Sequence, residues 1–319
     1  MSPTRSARSA RPALAVSAAA LTLLLAGCSQ PGGDPGEEPA IGAVPALLQS
    51  RDLAFPMDAY LPDDRQQGVL AEAQDVLVDQ CMQRYGFRYR LRREDDSAAA
   101  HDYSRRYGLS DPAEAARLGY EQPRTARAQR PPQPELGPNE QLVLYGLDVD
   151  PSLQVPTSQE EAEKSDVATT VVGGQKVPAG GCLRESNLKL FTPTKDTVGS
   201  LDSEGLRMEA YARSRKDGRV VKAFKSWSEC MGGHGFTVDN PMDRPPGIDD
   251  SNIGSPQAIA QAARDVDCKR ETNLVGIWYT VELAYQNRVI EKNAEKLDLV
   301  KRQLDERMKF AATLIATGR

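Results

Sequence analysis

Five cysteines and two histidines are the residues best suited to covalent or metal chemistry in this chain of 319, and four of the cysteines stand in matched surroundings. Cys81 opens Cys-Met-Gln-Arg-Tyr-Gly-Phe (81–87) and Cys230 opens Cys-Met-Gly-Gly-His-Gly-Phe (230–236), so both follow Cys-Met-x-x-x-Gly-Phe. Cys182 opens Cys-Leu-Arg-Glu-Ser-Asn-Leu (182–188) and Cys268 opens Cys-Lys-Arg-Glu-Thr-Asn-Leu (268–274), identical at five of seven positions. The two motifs recur in the same order, the mark of a diverged duplication. In an oxidising compartment four cysteines are most simply two disulfides, for which three pairings exist. The duplication favours pairing within each copy, Cys81–Cys182 and Cys230–Cys268, because equivalent positions make equivalent contacts. Loops of these lengths give about 4 to 5 kcal/mol each in the chain-entropy model, an upper value that ignores native strain.

Other chemistries compete weakly for the same residues. Cys230, His234 and Cys268 have the types of a zinc set, but the first copy places Tyr85 where His234 stands, and Gly232, Gly233 and Gly235 break the helix around it. A redox catalyst wants Cys-x-x-Cys, which the sequence lacks. A nucleophilic cysteine wants a histidine, and His101 and His234 both read as ordinary polar residues. Ser186-Asn187-Leu188-Lys189 matches the Ser-x-x-Lys of penicillin-recognising enzymes, but the second copy has Val275 in place of the lysine and the companion motifs are missing. Arg184-Glu185 and Arg270-Glu271 read as charge-assisted hydrogen bonds locking each copy. Asp249-Asp250-Ser251-Asn252 is a weak calcium pattern and reads as a solvated loop. The expectation is therefore no catalytic residue, no metal and no cofactor.

The fifth cysteine supplies an address. Arg5, Arg8 and Arg11 precede an apolar run, 13–25, that is too short for a bilayer span of about 20 residues. The run ends in Leu25-Ala26-Gly27-Cys28, which looks like a lipobox, so residues 1–27 read as a signal peptide and Cys28 as the lipidated residue. Several acyl chains there give stable anchoring. Removing the signal leaves 37 basic and 45 acidic side chains, a formal charge of −8, which argues against nucleic acid and against docking on anionic lipid.

These residues need elements to position them. Residues 28–54 are rich in Gly, Pro and Glu and read as a flexible tether. Val69 to Tyr85 is a helix by the spacing of Leu70, Ala73, Leu77, Cys81 and Tyr85, with Gly86 placed to end it. Residues 88–130 hold ten arginines against seven acids and read as a solvated face pairing with Asp95, Asp96 or Glu114. Asp111-Pro112 starts a short helix to about Leu118, and 124–138 is a linker or loop insertion. Residues 140–145 are apolar and of open type, and 159–166 are acidic and exposed. The β-branched residues flanking Gly173-Gly174 predict a small hairpin leading into Cys182. Residues 203–213 and 219–231 are helical, the second with the stripe Val220, Phe224, Trp227 and Met231. Ser255-Pro256 starts what reads as one long helix to about Thr317, bending near Gly276. Its outer part, 291–317, either packs on its own domain or awaits a partner chain.

Taken together, the motifs resemble a group of uncharacterised secreted lipoproteins of actinobacteria. They are the lipobox, Pro-x-Asp-x-Tyr at 56–60, the Cys-Met-x-x-x-Gly-Phe helix end and Arg-Arg-Tyr-Gly-Leu at 105–109. Gly-Gly-Cys at 180–182, Trp-x-x-Cys-Met at 227–231, Asp-x-x-Cys at 265–268 and a long final helix complete them. The resemblance implies location and disulfides and carries no activity. The expected fold is mainly α, with two disulfide-tied helical lobes at 55–196 and 197–319, one small β-hairpin and a long C-terminal helix. The expected protein sits on the outer face of the cytoplasmic membrane, held by the bilayer through Cys28. Its role is non-catalytic binding or adaptation for an envelope transporter or wall-associated assembly, with a protein partner at the C-terminal helix and no nucleic acid. The alternatives are a small-ligand receptor with an apolar pocket between the lobes, or an enzyme on wall polymer with two carboxylates about 5 to 10 Å apart.

Overall fold

The computed structural model describes residues 37–46, 49–89, 102–123, 135–146, 155–168, 170–198 and 200–318. The signal segment, Cys28, the start of the tether, His101, Asp95, Asp96 and most of the 124–138 linker lie outside them. Residues from Glu38 onward form one compact unit. Among the described residues no helix is long and apolar enough to cross a membrane.

The first helix, α1 (Asp64–Gln83), starts on a reciprocal cap: the Asp63 carboxylate accepts from the Gln66 N–H at 2.8 Å, and Gln66 Oε1 accepts from the Asp63 N–H at 3.0 Å. Its buried stripe is Leu70, Ala73, Leu77, Val78, Cys81 and Met82. Three short helices follow, α2 (Pro112–Leu118), α3 (Pro138–Tyr145) and α4 (Gln159–Lys164). The apolar segment at 140–145 is thus helical. The hairpin is β1 (Val171–Val172) paired antiparallel with β2 (Gln175–Lys176), and Gly173 and Gly174 both take positive φ, as its two-residue turn requires. It leads into α5 (Gly181–Phe191). A Cβ on Gly146, at the end of α3, would strike the Gly180–Gly181 backbone, so these glycines let α3 and α5 touch.

The second half runs α6 (Ser200–Ser214), α7 (Gly218–Gly233), α8 (Pro256–Glu271), α9 (Leu274–Lys292) and α10 (Ala294–Thr317). The single helix expected over 256–317 is therefore three. Asn273 sits in the left-handed region at φ 51°, and its Nδ2 donates to the Pro45 carbonyl at 3.0 Å, which breaks the chain between α8 and α9. Asn293 separates α9 from α10, its Nδ2 donating to the Val289 carbonyl at 2.7 Å. Gly276, where bending was expected, lies inside α9 and lets that helix pass close under the Pro45 carbonyl.

Among the described residues four apolar clusters fill the interior. The largest gathers Trp227, Trp278, Tyr107, Met57 and Leu274 among others, and a second surrounds the Cys81–Cys182 bridge. A third joins Leu70, Ala73 and Leu77 of α1 to Leu304 and Ala311 of α10, with Leu190 of α5. So α10 packs along the first helix of the chain, and its residues Leu297, Leu304 and Ala311, spaced seven apart, are core. The fourth sits between α2 and α8. Within the segment read as tether, Ile41 and Leu53 pack on the largest cluster, and the Glu38 carboxylate accepts from the Gly218 N–H at 2.6 Å.

Candidate functional site

Each Cys-Met-x-x-x-Gly-Phe copy closes a helix in the same way. Gly86 at φ 83° and Gly235 at φ 85° follow α1 and α7, and the next residue's N–H turns back to the methionine carbonyl. Phe87 reaches Met82 at 3.1 Å and Phe236 reaches Met231 at 3.0 Å. This is a six-to-one capping bond that a glycine in the left-handed region makes available. The turn sets the last cysteine of the helix against the cysteine that begins or ends the next. Cys81 is bonded to Cys182 and Cys230 to Cys268, with Cα separations of 5.6 and 5.7 Å, inside the usual disulfide range. A glutamate then stands beside each bridge, Glu185 Oε2 at 3.6 Å from Cys81 Sγ and Glu271 Oε2 at 3.7 Å from Cys230 Sγ.

The surroundings of the two bridges differ. In the first corner Glu185 holds Arg84 and Lys189 in ion pairs, and Arg84 Nη2 lies 2.9 Å from Cys81 Sγ. Both sulfur-bearing residues are buried there. In the second corner Gly233 and Val275 stand at the places of Arg84 and Lys189, Cys230 is half-buried, and His234 and Glu271 are exposed. In the first copy Arg184 and Glu185 each make the expected charge-assisted hydrogen bond, with partners outside the dipeptide. Neighbours on a helix point about 100° apart, so Arg184 instead donates to the Pro156 carbonyl at 2.5 Å and Glu185 takes Arg84.

The donor atoms of Cys230, His234 and Cys268 do come together, all within 4.8 Å of one another, with both sulfurs engaged in the disulfide. Ser186 and Lys189 are brought to one helix but to separate tasks. The Ser186 hydroxyl donates to the Leu183 carbonyl at 2.8 Å and Lys189 goes to Glu185. Asp249 is spent on its own turn, accepting from the Ser251 N–H at 2.8 Å, while Asp250 pairs with Arg244 at 2.8 Å. Arg105 pairs with Glu114, one of the acids expected for that stretch.

Two buried polar groups escaped the sequence reading. Asp265 and Lys269, one helical turn apart on α8, face the interior. Lys269 Nζ lies 3.1 Å from Asp265 Oδ1 and donates to the Leu109 carbonyl at 2.8 Å, and Trp227 Nε1 donates to Asp265 at 2.9 Å. Burial pushes the Asp265 carboxyl up and the Lys269 amine down, and each is opposed by the other's charge. On α9, the fully buried Glu282 forms an ion pair with Arg106 and accepts from the Tyr107 hydroxyl and Gln286 Nε2, both at 2.8 Å. The Arg106 guanidinium lies 4.4 Å from the Tyr211 ring centroid. The signal for both was a charged residue placed inside an apolar helical stripe.

The segment 105–109 is what these groups hold. Arg106 and Tyr107 go to Glu282, and Leu109 supplies the carbonyl for Lys269. Gly108, at φ 76°, passes so close that a Cβ would come within 2.5 Å of the Pro241 carbonyl. A segment from between the first pair of cysteines is thereby fastened to the helices of the second pair. Similarly, Asp58 of the Pro-x-Asp-x-Tyr motif accepts from the Phe55 N–H at 2.8 Å and takes the Tyr103 hydroxyl. A surface hollow of about 490 Å³ is lined by Arg117, Leu118, Glu121, Gln122 and Pro123. Glu121 is the one carboxylate in its lining. Comparison of the chain with protein-family models, curated proteins and solved structures gave no match.

Proposed function

We propose that the protein is a lipoprotein of the outer face of the cytoplasmic membrane, anchored through Cys28. Its helical body is a non-catalytic adaptor for an envelope transporter or wall-associated assembly. The cysteine inventory supports the address: four sit in two disulfides of the folded body, which suits an oxidising compartment. The body takes hold of the chain at Glu38, so the ten-residue span from Cys28 reaches at most about 35 Å.

The observation that carries the adaptor role is the division of labour on α10. Leu297, Val300, Leu304, Arg307 and Ala311 are buried, which fixes the helix rigidly to the body. Arg302, Glu306 and Lys309 on the opposite side and Phe310 on the flank are exposed, Phe310 by 42%. An aromatic ring among charges of both signs suits a protein partner offering an apolar pocket with a polar rim.

Deleting the helix would be a poor test, because it would bare Leu70, Ala73 and Leu77 of α1. A photo-crosslinker placed at position 310 in cells tests the reading directly. The expected result is one defined adduct from position 310 and none from the exposed Lys225 on α7; the same adducts from both positions would count against α10. For the anchor, Cys28→Ser should abolish palmitate labelling and release the protein from membranes, and unchanged labelling would refute it.

A further inference from the structure

We propose that the second corner is a redox-gated metal site, in which Cys230, His234 and Cys268, joined by Glu271, hold a zinc-class divalent cation once the disulfide is reduced. The inference stands apart from the adaptor reading and rests on comparing the two corners. Both place a glutamate beside a disulfide at nearly the same distance, 3.6 and 3.7 Å. In the first corner that glutamate is neutralised by Arg84 and Lys189, and Tyr85 follows on the turn. The second replaces Arg84 with Gly233, Lys189 with Val275 and Tyr85 with His234. Those three differences remove both cations from the carboxylate, uncover one sulfur and add an imidazole.

The geometry suits a tetrahedral ion. Zinc bonds of about 2.3 Å to sulfur and about 2.0–2.1 Å to nitrogen set donors about 3.5–3.8 Å apart. The donor atoms of Cys230, His234 and Cys268 already lie within 4.8 Å. Opening the disulfide therefore needs about 2 Å of sulfur separation, and His234 needs a shift of about 1 Å. The turn that carries His234 has room to move, since a Cβ added at Gly232, Gly233 or Gly235 would meet nothing within 4 Å. Glu271 Oε2, 3.7 Å from Cys230 Sγ but outside the group of three, would move in to take the fourth position. Two thiolates, a neutral imidazole and a carboxylate give a closed, zinc-preferring set.

The gating step is thiol–disulfide exchange with a dithiol reductant. Its thiolate attacks the half-buried Cys230 sulfur and Cys268 leaves as thiolate; the reductant's second thiol then resolves the mixed disulfide. Two electrons pass to the protein, the reductant becomes a disulfide, and metal binding keeps both protein sulfurs deprotonated, releasing up to two protons. The first bridge, buried beneath Arg84, resists the same attack.

The test uses the mature chain, mild phosphine reduction, and Co²⁺ or Zn²⁺ alone as probe. Iodoacetamide labelling read by mass spectrometry reports each cysteine. Reduction should expose Cys230 and Cys268 before Cys81 and Cys182. One equivalent of Co²⁺ should then give a thiolate-to-cobalt charge-transfer band that the oxidised protein lacks, and Zn²⁺ should protect Cys230 and Cys268 from alkylation. His234→Tyr, which reproduces the first corner at an exposed position, should weaken binding at least about tenfold, a direct ligand counting for no less than its supporting shell. Preferential reduction of the first pair, a reduced protein without the band, or binding unchanged by His234→Tyr would each overturn the proposal.

Discussion

Arg307 Nε donates to the Leu190 carbonyl at 3.1 Å, and through that bond the last helix of the chain closes over the end of α5. Its Nη2 also approaches the Phe191 carbonyl at 3.3 Å, and the guanidinium lies 5.4 Å from the Phe191 ring centroid. A cation at a helix C-terminus satisfies carbonyls that the helix leaves without partners. Burial holds the Arg307 guanidinium below its ordinary value.

Arg307→Met keeps the apolar stem and removes the cap. Two carbonyls then lose a buried donor, which costs about 1–3 kcal/mol. Urea unfolding should show a lower midpoint with an unchanged slope. An unchanged midpoint would mean that α10 is held by its apolar stripe alone.

The Asp265–Lys269 pair separates two kinds of loss. Lys269→Met leaves a buried carboxylate without its cation and should destabilise by about 3–5 kcal/mol. Replacing both residues, Asp265→Leu with Lys269→Met, should cost clearly less. Equal losses for the single and double variants would contradict the pairing. Trp227 fluorescence provides a local readout, because its Nε1 donates to Asp265.

Asp217 predicts acid sensitivity. Burial raises its carboxyl, but the side-chain and backbone hydrogen bonds from Arg219, with the Arg219 charge and the Tyr285 hydroxyl, outweigh it and hold the carboxyl below the ordinary aspartate range. A folded value below the unfolded one contributes stability that is present above about pH 4 and lost as pH falls through the depressed folded value. Asp217→Asn should flatten the unfolding midpoint against pH in that acid window, and a slope equal to wild type would exclude Asp217 as its source.

Asn273 tests why two similar heptapeptides fold differently. Its φ of 51° costs a residue with an ordinary Cβ about 1–2 kcal/mol. Asn273→Ala should lower stability by about that much plus the bond to Pro45, whereas Asn273→Gly should recover part of the loss. Equal stability of the two variants would show that the backbone strain there is negligible.

Much of the local structure was legible because its causes are local. Gly86 and Gly235 announce left-handed turns, Asp111-Pro112 and Ser255-Pro256 announce helix starts, and Gly173-Gly174 announces a hairpin. What stayed hidden depends on residues far away in sequence. Asn187 continues α5 while its counterpart Asn273 breaks the chain, and the deciding partner is the Pro45 carbonyl, 228 positions distant. Arg84 is 101 positions from Glu185, and Arg106 is 176 from Glu282. The candidate metal corner was readable as Cys230, His234 and Cys268, but the place of Glu271 beside it was not, since only the folded turn brings that carboxylate to the sulfur.

One cross-linked helical corner occurs twice in the chain, each bridge closing within its own copy. Proteolysis of the unreduced mature protein, followed by mass spectrometry of the linked peptides, tests it most directly. The expected result is one species joining Cys81 to Cys182 and another joining Cys230 to Cys268. Peptides joining Cys81 to Cys230 or Cys182 to Cys268, as the dominant species, would contradict it.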